Sequence, residues 1–252
     1  MKTVVIIPAR LRSSRLPGKV LLDLDGKPIV RWVYERARQA QGVHEVYIAT
    51  DSAEVERVCR QFTENVIMTS DTHQSGTDRI AEAASDLDAE VVINVQGDEP
   101  LISPEVISKL AGEFQDESLQ MGSVMTLIDK AEDVINPNVV KVVTDSRSNA
   151  LYFSRSPIPY PREAVAELHR GHMPKGIRYY KHLGIYGYRK DFLLQYNRLA
   201  VSPLEETEKL EQLRALQNGY CIRMIETDYN SVGIDTKADL EQVRALVKKE
   251  NA

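Results

Sequence analysis

The sequence predicts an α/β protein with a doubly wound, mainly parallel sheet and an antiparallel β excursion, and three observations carry that prediction. Short apolar runs (VVII at 4–7, EVYIAT at 45–50, EVVINV at 90–95) alternate with segments whose apolar residues recur at helical spacing. The loops after those runs carry the charged and hydroxyl residues, which is where an open parallel sheet places its ligands. From Met121 to Arg189 the pattern changes to strand-like runs divided by turn residues. No linker, internal repeat or low-complexity tract interrupts the 252 residues, so one domain is expected over 1–252, with a strand-rich subregion at about 121–190.

The first run, Val4 to Ile7, reads as a strand buried on both faces, stopped by Pro8, which offers no ladder donor. The loop from Ala9 to Lys19 then carries Arg10, Arg12, Arg15 and Lys19, no acid, two serines, and Pro17-Gly18 before the lysine. In a chain of net charge −5, a loop this basic at the end of a central strand points to an anion site rather than a solvated surface. It lacks the earlier glycine and the following Ser or Thr of a Walker A loop, and no G-x-G-x-x-G follows the strand, which excludes a P-loop NTPase and an ordinary dinucleotide-binding fold.

Asp25-Gly26 predicts a turn and Pro28 the start of a helix with Ile29, Val30, Val33, Ala37 and Ala40 on one face. After the strand at Glu45 to Thr50, Asp51 or Ser52 caps a helix over Ala53 to Phe62 with Val55, Val58 and Phe62 inward, and Asn65 to Thr69 is a further short strand. Ser75-Gly76-Thr77-Asp78-Arg79 opens the next helix; it suits a phosphate or base edge at the helix start and a purely structural cap equally well. The strand at Glu90 to Val95 runs into Gln96-Gly97-Asp98-Glu99-Pro100. Asp98 would then share a crevice with the basic loop and hold a divalent cation against nucleotide phosphates, a turn aspartate being the alternative.

In the strand-rich subregion the runs are MGSVMTLI, VVKVVTD, ALYFSR and KHLGIYGYR, broken at Asn136-Pro137-Asn138 and Asp145 to Asn149. Ser156 to Tyr180, rich in Pro, Gly and charge, reads as a mobile flap or part of a subunit contact. Ser202-Pro203 predicts one helix over LEETEKLEQLRALQN, with Leu204, Leu210, Leu213 and Leu216 on one face and Gly219 as its stop. A strand, CIRMIE, follows, and Thr236 with Asp239 gives a capping-box-like start to the last helix, leaving Asp235 for other work.

The composition, 42% hydrophobic and 27% charged, excludes a disordered chain, and the acidic balance argues against a general nucleic-acid partner. Cys59 and Cys221 form no C-x-x-C pattern and suit a reducing compartment. No apolar run approaches a signal peptide's hydrophobic region or a membrane span, so a cytoplasmic protein is expected.

Taken together, IPARLRSSRLPGK, SGTDRIAE, NVQGDEP, NPNVVKVV, ALYFSRSPIP, KHLGIYGYR, LEQLRAL and VGIDT resemble the 3-deoxy-manno-octulosonate (Kdo) cytidylyltransferases, in that family's order and over nearly the whole chain. One departure is Val20, where many members carry proline. The resemblance implies a nucleotide-diphospho-sugar transferase-like fold and the reaction of CTP with Kdo to give CMP-Kdo and pyrophosphate, for lipopolysaccharide biosynthesis. Neighbouring readings are a cytidylyltransferase for 8-amino-Kdo or a sialic acid, and a non-catalytic nucleotide-sugar sensor. It further implies that Lys19, Arg10, Asp98 and Asp235 are catalytic, and that Ala9, Arg10, Ser13, Arg15, Lys19 and Arg79 contact CTP. Asp98 and Asp235 would bind Mg²⁺, and Gln96, Arg155, His182, Tyr186, Glu211 and Gln212 would line the sugar pocket of a homodimeric enzyme. No Ser-His-Asp or Cys-His pattern suggests a covalent intermediate, so direct displacement is expected.

Overall fold

The structure, a computed structural model, describes residues 1–11, 15–73, 75–230 and 232–250. The chain divides into two compact units: Met1–Gln115 with Ile185–Asn197 and Asn230–Ala252, and Asp116–Gly184 with Arg198–Tyr229. One of the passages between the units falls in mid-element, where no linker could mark it. The strand Tyr180–Arg189 begins in the second unit and ends in the first.

In the first unit Thr3–Pro8 is central, with Val4 to Ile7 all fully buried. Parallel strands flank it, Glu45–Thr50 on one side and Val91–Asn94 on the other, and Val66–Met68 extends the sheet beyond Glu45–Thr50. The end of Tyr180–Arg189 closes the far side antiparallel, pairing Tyr186 with Asn94 and Arg189 with Val91. The helices sort into packed pairs, Ile29–Ala37 with Pro104–Glu113 and Gly76–Ser85 with Lys190–Tyr196, as a sheet covered by crossover helices requires.

The helix Ile29–Ala37 buries Ile29, Val30, Val33 and Ala37 as its spacing predicts. The next ends at Cys59, and its inward residues are Val55 and Cys59 rather than Val55, Val58 and Phe62. The last, Lys237–Glu250, joins Leu16, Leu24, Ile29, Ile234, Leu240, Val243 and Val247 in one apolar cluster, which fastens the basic loop to the unit's core through Leu16. Its start carries the expected reciprocal cap, Thr236 N–H to Asp239 Oδ2 at 2.8 Å and Asp239 N–H to Thr236 Oγ1 at 3.2 Å.

The second unit is mixed, one of the two arrangements that its strand-like runs allow. Met121–Leu127 pairs parallel with Ile222–Thr227, while Lys141–Thr144 pairs antiparallel with Ala150–Ser154 and with the start of Tyr180–Arg189. The segment expected as a flap contains the helix Val165–His169, whose Leu168 packs with Ile128, Ala131, Val134 and Tyr179. Burial of Leu168 and Tyr179 at 1% and 0% exposure is the reason it is folded here.

The single helix expected after Ser202 is two, Pro203–Glu208 and Leu213–Gln217, parted at Lys209 with φ 53° and ψ 47°. Helical spacing does not decide this because tertiary bonds do. Arg155 donates to the carbonyls of Glu208 at 2.7 Å and Lys209 at 3.4 Å, and the Glu208 carboxylate accepts from Ser154 Oγ and Arg155 N–H. Carbonyls turned toward Arg155 are lost to the helix ladder, so the helix breaks there.

Candidate active site

The basic loop enters a cleft of about 980 Å³ lined by Pro8, Arg10, Leu11, Arg15, Pro17, Gly18, Lys19, Val20, Glu54, Gln96, Gly97, Asp98 and Asp235, all in the first unit. Backbone geometry builds it. Ala9 N–H donates to Ala49 O at 2.8 Å, prolonging the central strand by one residue before the chain turns away. Gly18 N–H donates to Leu11 O at 3.0 Å, and Gly18, at φ 69°, caps the short 3₁₀ turn Lys19–Leu21. Val20 is 3% exposed, so the turn is anchored by an apolar side chain whether or not it is proline.

Gly97 is required by close approach: a Cβ there would lie 2.8 Å from Pro8 O. Removing that side chain lets the two strand ends converge and sets Asp98 beside the loop. Asp235 reaches the same place from near the other end of the sequence, because Ile234 N–H donates to Asp98 O at 2.9 Å.

These constraints gather four charges. The Lys19 ammonium bonds Asp98 Oδ2 in a short contact and Asp235 Oδ1 at 2.8 Å, and Arg15 Nη2 lies 3.0 Å from Asp235 Oδ2. Burial opposes the charge on Lys19, but the field of Asp98 and the hydrogen bonds to Asp235 and Asp98 outweigh it, so its pKa is held above the usual lysine value. The ammonium stands where a cation bound by both carboxylates would stand. Two carboxylates converging on one cation position fit an ion such as Mg²⁺, which takes one or two protein carboxylates and completes its shell with phosphates and water. Among the described residues no group of three or more His, Cys, Asp or Glu could hold a metal.

Of the residues expected at CTP, Arg10, Arg15 and Lys19 line the cleft and Ala9 adjoins it, while Ser13 lies outside the described residues. Arg79 is not brought there. It is 3% exposed, with Nη2 on Asp51 Oδ2 at 2.9 Å and Nη1 on Thr69 Oγ1 at 2.5 Å. Ser75 and Asp78 form a reciprocal capping box, which is the structural alternative for SGTDR. Glu54, at the start of a helix, also lines the cleft, and as an exposed acid in a first turn it carries no signal in sequence.

The residues expected at the sugar fall in both units. In the first, Gln96 lines the cleft and donates to Asn94 Oδ1 at 3.3 Å, while Tyr186 is the register partner of Asn94 and stacks on Tyr188. In the second, His182 is 8% exposed, with Nε2 2.9 Å from Ser123 Oγ, Nδ1 3.4 Å from Gln212 Nε2, and an edge contact to Phe153. Burial pushes its pKa down to about 3, so the imidazole is neutral. With Gln212 donating to Nδ1, the tautomer that satisfies the network carries its proton on Nε2 and donates to Ser123 Oγ, which itself donates to Leu183 O at 3.3 Å.

Half-buried Arg155 donates from Nε to Glu208 O at 2.7 Å and from Nη1 to Pro137 O at 2.9 Å, and Glu211 is half-buried beside Gln212. Beneath Arg155 lies Lys141, fully buried, whose ammonium donates to the carbonyls of Asn136 at 2.8 Å, Val139 at 2.5 Å and Arg155 at 2.7 Å. Burial pushes its pKa down to about 8. Neither Ser123 nor Lys141 stands out in sequence, since each is a polar residue in an alternating strand where the outward face is the default.

The chain is similar to known proteins over almost its full length. A family model described as cytidylyltransferase matches residues 4–227. A 3-deoxy-manno-octulosonate cytidylyltransferase of Geobacter metallireducens is 50% identical over 245 residues, covering 96% of each chain. One of Geotalea uraniireducens is 48% identical over 251 residues, covering 99% of this chain and all of the relative. A solved structure of CMP:2-keto-3-deoxy-manno-octonic acid synthetase complexed with CTP superposes with a TM-score of 0.92 at 46% identity, covering 99% of this chain and 100% of that one. A nucleotidyl transferase of Methanothermobacter, at 16% identity and a TM-score of 0.62 over 99% of each chain, shares the fold.

Proposed function

The chain belongs to the 3-deoxy-manno-octulosonate cytidylyltransferase family, and from that membership we propose that it is the enzyme joining CTP and Kdo to give CMP-Kdo and pyrophosphate, a step in lipopolysaccharide biosynthesis. The observation that carries this reading is the convergence of Lys19, Arg15, Asp98 and Asp235 in a cleft at the end of the central strand. Phosphoryl transfer of this kind needs positioning and charge control more than covalent chemistry.

The sugar's anomeric hydroxyl attacks the α-phosphorus in line with the departing pyrophosphate. Lys19, its pKa held above normal, is protonated throughout the neutral range and donates to the α-phosphate as charge builds there. Arg10 and Arg15 hold the outer phosphates, and Ser13 is assigned the same role. The N–H of Ala9 is committed to Ala49 O, so the base contact falls to its carbonyl, an acceptor for the cytosine amine. Asp98 and Asp235 would hold Mg²⁺ with the phosphates, where it would neutralise the triphosphate and lower the pKa of the attacking hydroxyl.

For the sugar we assign Gln96, Arg155, His182, Tyr186, Glu211 and Gln212. Arg155 suits the sugar's carboxylate: a guanidinium has five N–H donors, and backbone carbonyls take three here. Neutral His182 suits a hydroxyl rather than a carboxylate.

A homodimer is proposed for the assembly, because Leu127, Ile135, Leu151 and Tyr160 of the second unit are exposed. Light scattering that shows a fully active monomer at micromolar concentration would contradict it. A cytoplasmic location is proposed on the two free cysteines, one of them exposed; cell fractionation tests it. Among the described residues no helix is long and apolar enough to cross a membrane.

The deciding assay is pyrophosphate release from CTP with Mg²⁺, run separately with Kdo, 8-amino-Kdo and a sialic acid. Kdo should give the highest kcat/KM. Release no faster with Kdo than without sugar overturns the assignment, and preference for the amine or sialic acid moves it to that substrate.

A further inference from the structure

The ion cluster in the cleft does more than display a metal site. Asp98 and Asp235 meet on the Lys19 ammonium, with contacts to Oδ2 of one and Oδ1 of the other, and Arg15 covers the remaining oxygen of Asp235. Two cations thus balance two carboxylates, and the cluster offers no net negative charge to draw in a divalent ion. A metal and an ammonium cannot share one position, and a metal placed beside it would meet like-charge repulsion.

From this geometry we infer that Lys19 is a placeholder cation: without nucleotide its ammonium fills the position between Asp98 and Asp235, and the metal enters only with the nucleotide, whose phosphates take Lys19 away. This rests on the proposed function, and adds to it a linkage between nucleotide and metal built from this chain's own residues. A bound triphosphate offers the ammonium a more highly charged partner within reach of the same flexible side chain. Its departure leaves the paired carboxylates without their cation. Metal and nucleotide are then positively coupled, and each must strengthen the other's binding by the same factor. The device keeps the carboxylates from capturing a divalent ion in an empty cleft, and it couples Lys19's arrival at the phosphates to the opening of the metal position.

The test measures Mn²⁺ binding to the full-length, nucleotide-free protein by electron paramagnetic resonance, independent of activity. Lys19→Met should bind Mn²⁺ about tenfold more tightly than the parent, a factor in the usual range for coupled sites. Lys19→Gln, which keeps length and donors but not charge, should do the same, and thermal melts establish that both variants fold. Adding Asp98→Asn to Lys19→Met should abolish the gain. If neither lysine variant binds more tightly than the parent while the added Asp98→Asn still weakens binding, the carboxylates hold the metal but Lys19 does not exclude it, and the placeholder fails alone. If Asp98→Asn changes nothing, the bound ion lies elsewhere and the metal assignment fails too. If neither lysine variant binds Mn²⁺ measurably, the inference is overturned.

Discussion

Replacing Arg79 with methionine separates two roles that its sequence context leaves level. Its guanidinium is 3% exposed and bonds Asp51 Oδ2 at 2.9 Å and Thr69 Oγ1 at 2.5 Å. Methionine would fill most of the volume but leave the Asp51 carboxylate, 18% exposed in its side chain, without that cation. Breaking a buried pair from one side costs about 3–5 kcal/mol, and the water still reaching Asp51 places this case near the lower figure. At about 2–4 °C per kcal/mol for a chain of this size, the melting temperature should fall by roughly 6–12 °C. Removing both partners is much cheaper than stranding one, so Arg79→Met with Asp51→Leu should recover most of the loss. Differential scanning calorimetry reads the stability, and steady-state kinetics with CTP varied reads the site; KM for CTP should stay within about twofold of the parent, since an Arg79 away from the cleft contributes no binding energy. A variant that melts within about 3 °C of the parent, a change under about 1 kcal/mol, yet binds CTP tenfold more weakly would refute this reasoning and put the guanidinium on a phosphate.

Two further outcomes follow from the second unit. Arg155→Ala should raise KM for Kdo by about tenfold or more, the worth of a charge-assisted hydrogen bond, and move KM for CTP little; a rise confined to CTP would remove Arg155 from the sugar. Lysine there should restore only part of the loss, because an ammonium lacks the planar fork. Burial lowers the pKa of His182 from 6.5 to about 3, so below pH 6.5 the unfolded chain takes up a proton that the folded chain refuses. Stability from this residue is therefore full above pH 6.5 and lost toward pH 3, at about 1.4 kcal/mol per unit in mid-window. Melts of the parent and of His182→Gln at pH 6.5, 5.5 and 4.5 should diverge, the variant falling less steeply; parallel slopes would mean that His182 titrates in the folded protein.

How much of this was legible depended on whether a local or a distant contact decided the outcome. The central strands could be read because burial on both faces demands unbroken apolar runs, and Val4 to Ile7 is one. Asp98 could be read from the rule that ligands gather at strand ends. Ser103-Pro104 and the spacing of Val106, Ile107, Leu110 and Ala111 carry a local signal for the helix Pro104–Glu113, which the expectations above do not include. The break at Lys209 was beyond reach, since the groups that cause it, Ser154 and Arg155, lie more than fifty residues earlier. Arg79 shows the same limit: SGTDR suits a phosphate or a cap, and the carboxylate that holds its guanidinium belongs to Asp51, twenty-eight residues upstream.

The same distinction explains how the cleft can hold the cluster of Arg15, Lys19, Asp98 and Asp235 without depending on it for its shape. Asp98 is set by the Gly97 approach to Pro8 O and by the bond from Ile234 N–H to its own carbonyl. Asp235 precedes a helix whose cap is made by Thr236 and Asp239, and the Asp239 carboxylate also accepts from Asp235 N–H at 3.0 Å. The backbone is therefore fixed by glycine, main-chain bonds and a neighbouring acid, while the carboxylates of Asp98 and Asp235 are spared from capping. Side chains not needed for the fold can exchange partners, and that freedom is what the transfer of Lys19 from carboxylates to phosphates requires. A site whose acids also capped helices could not release its lysine without loosening the strand ends that place it.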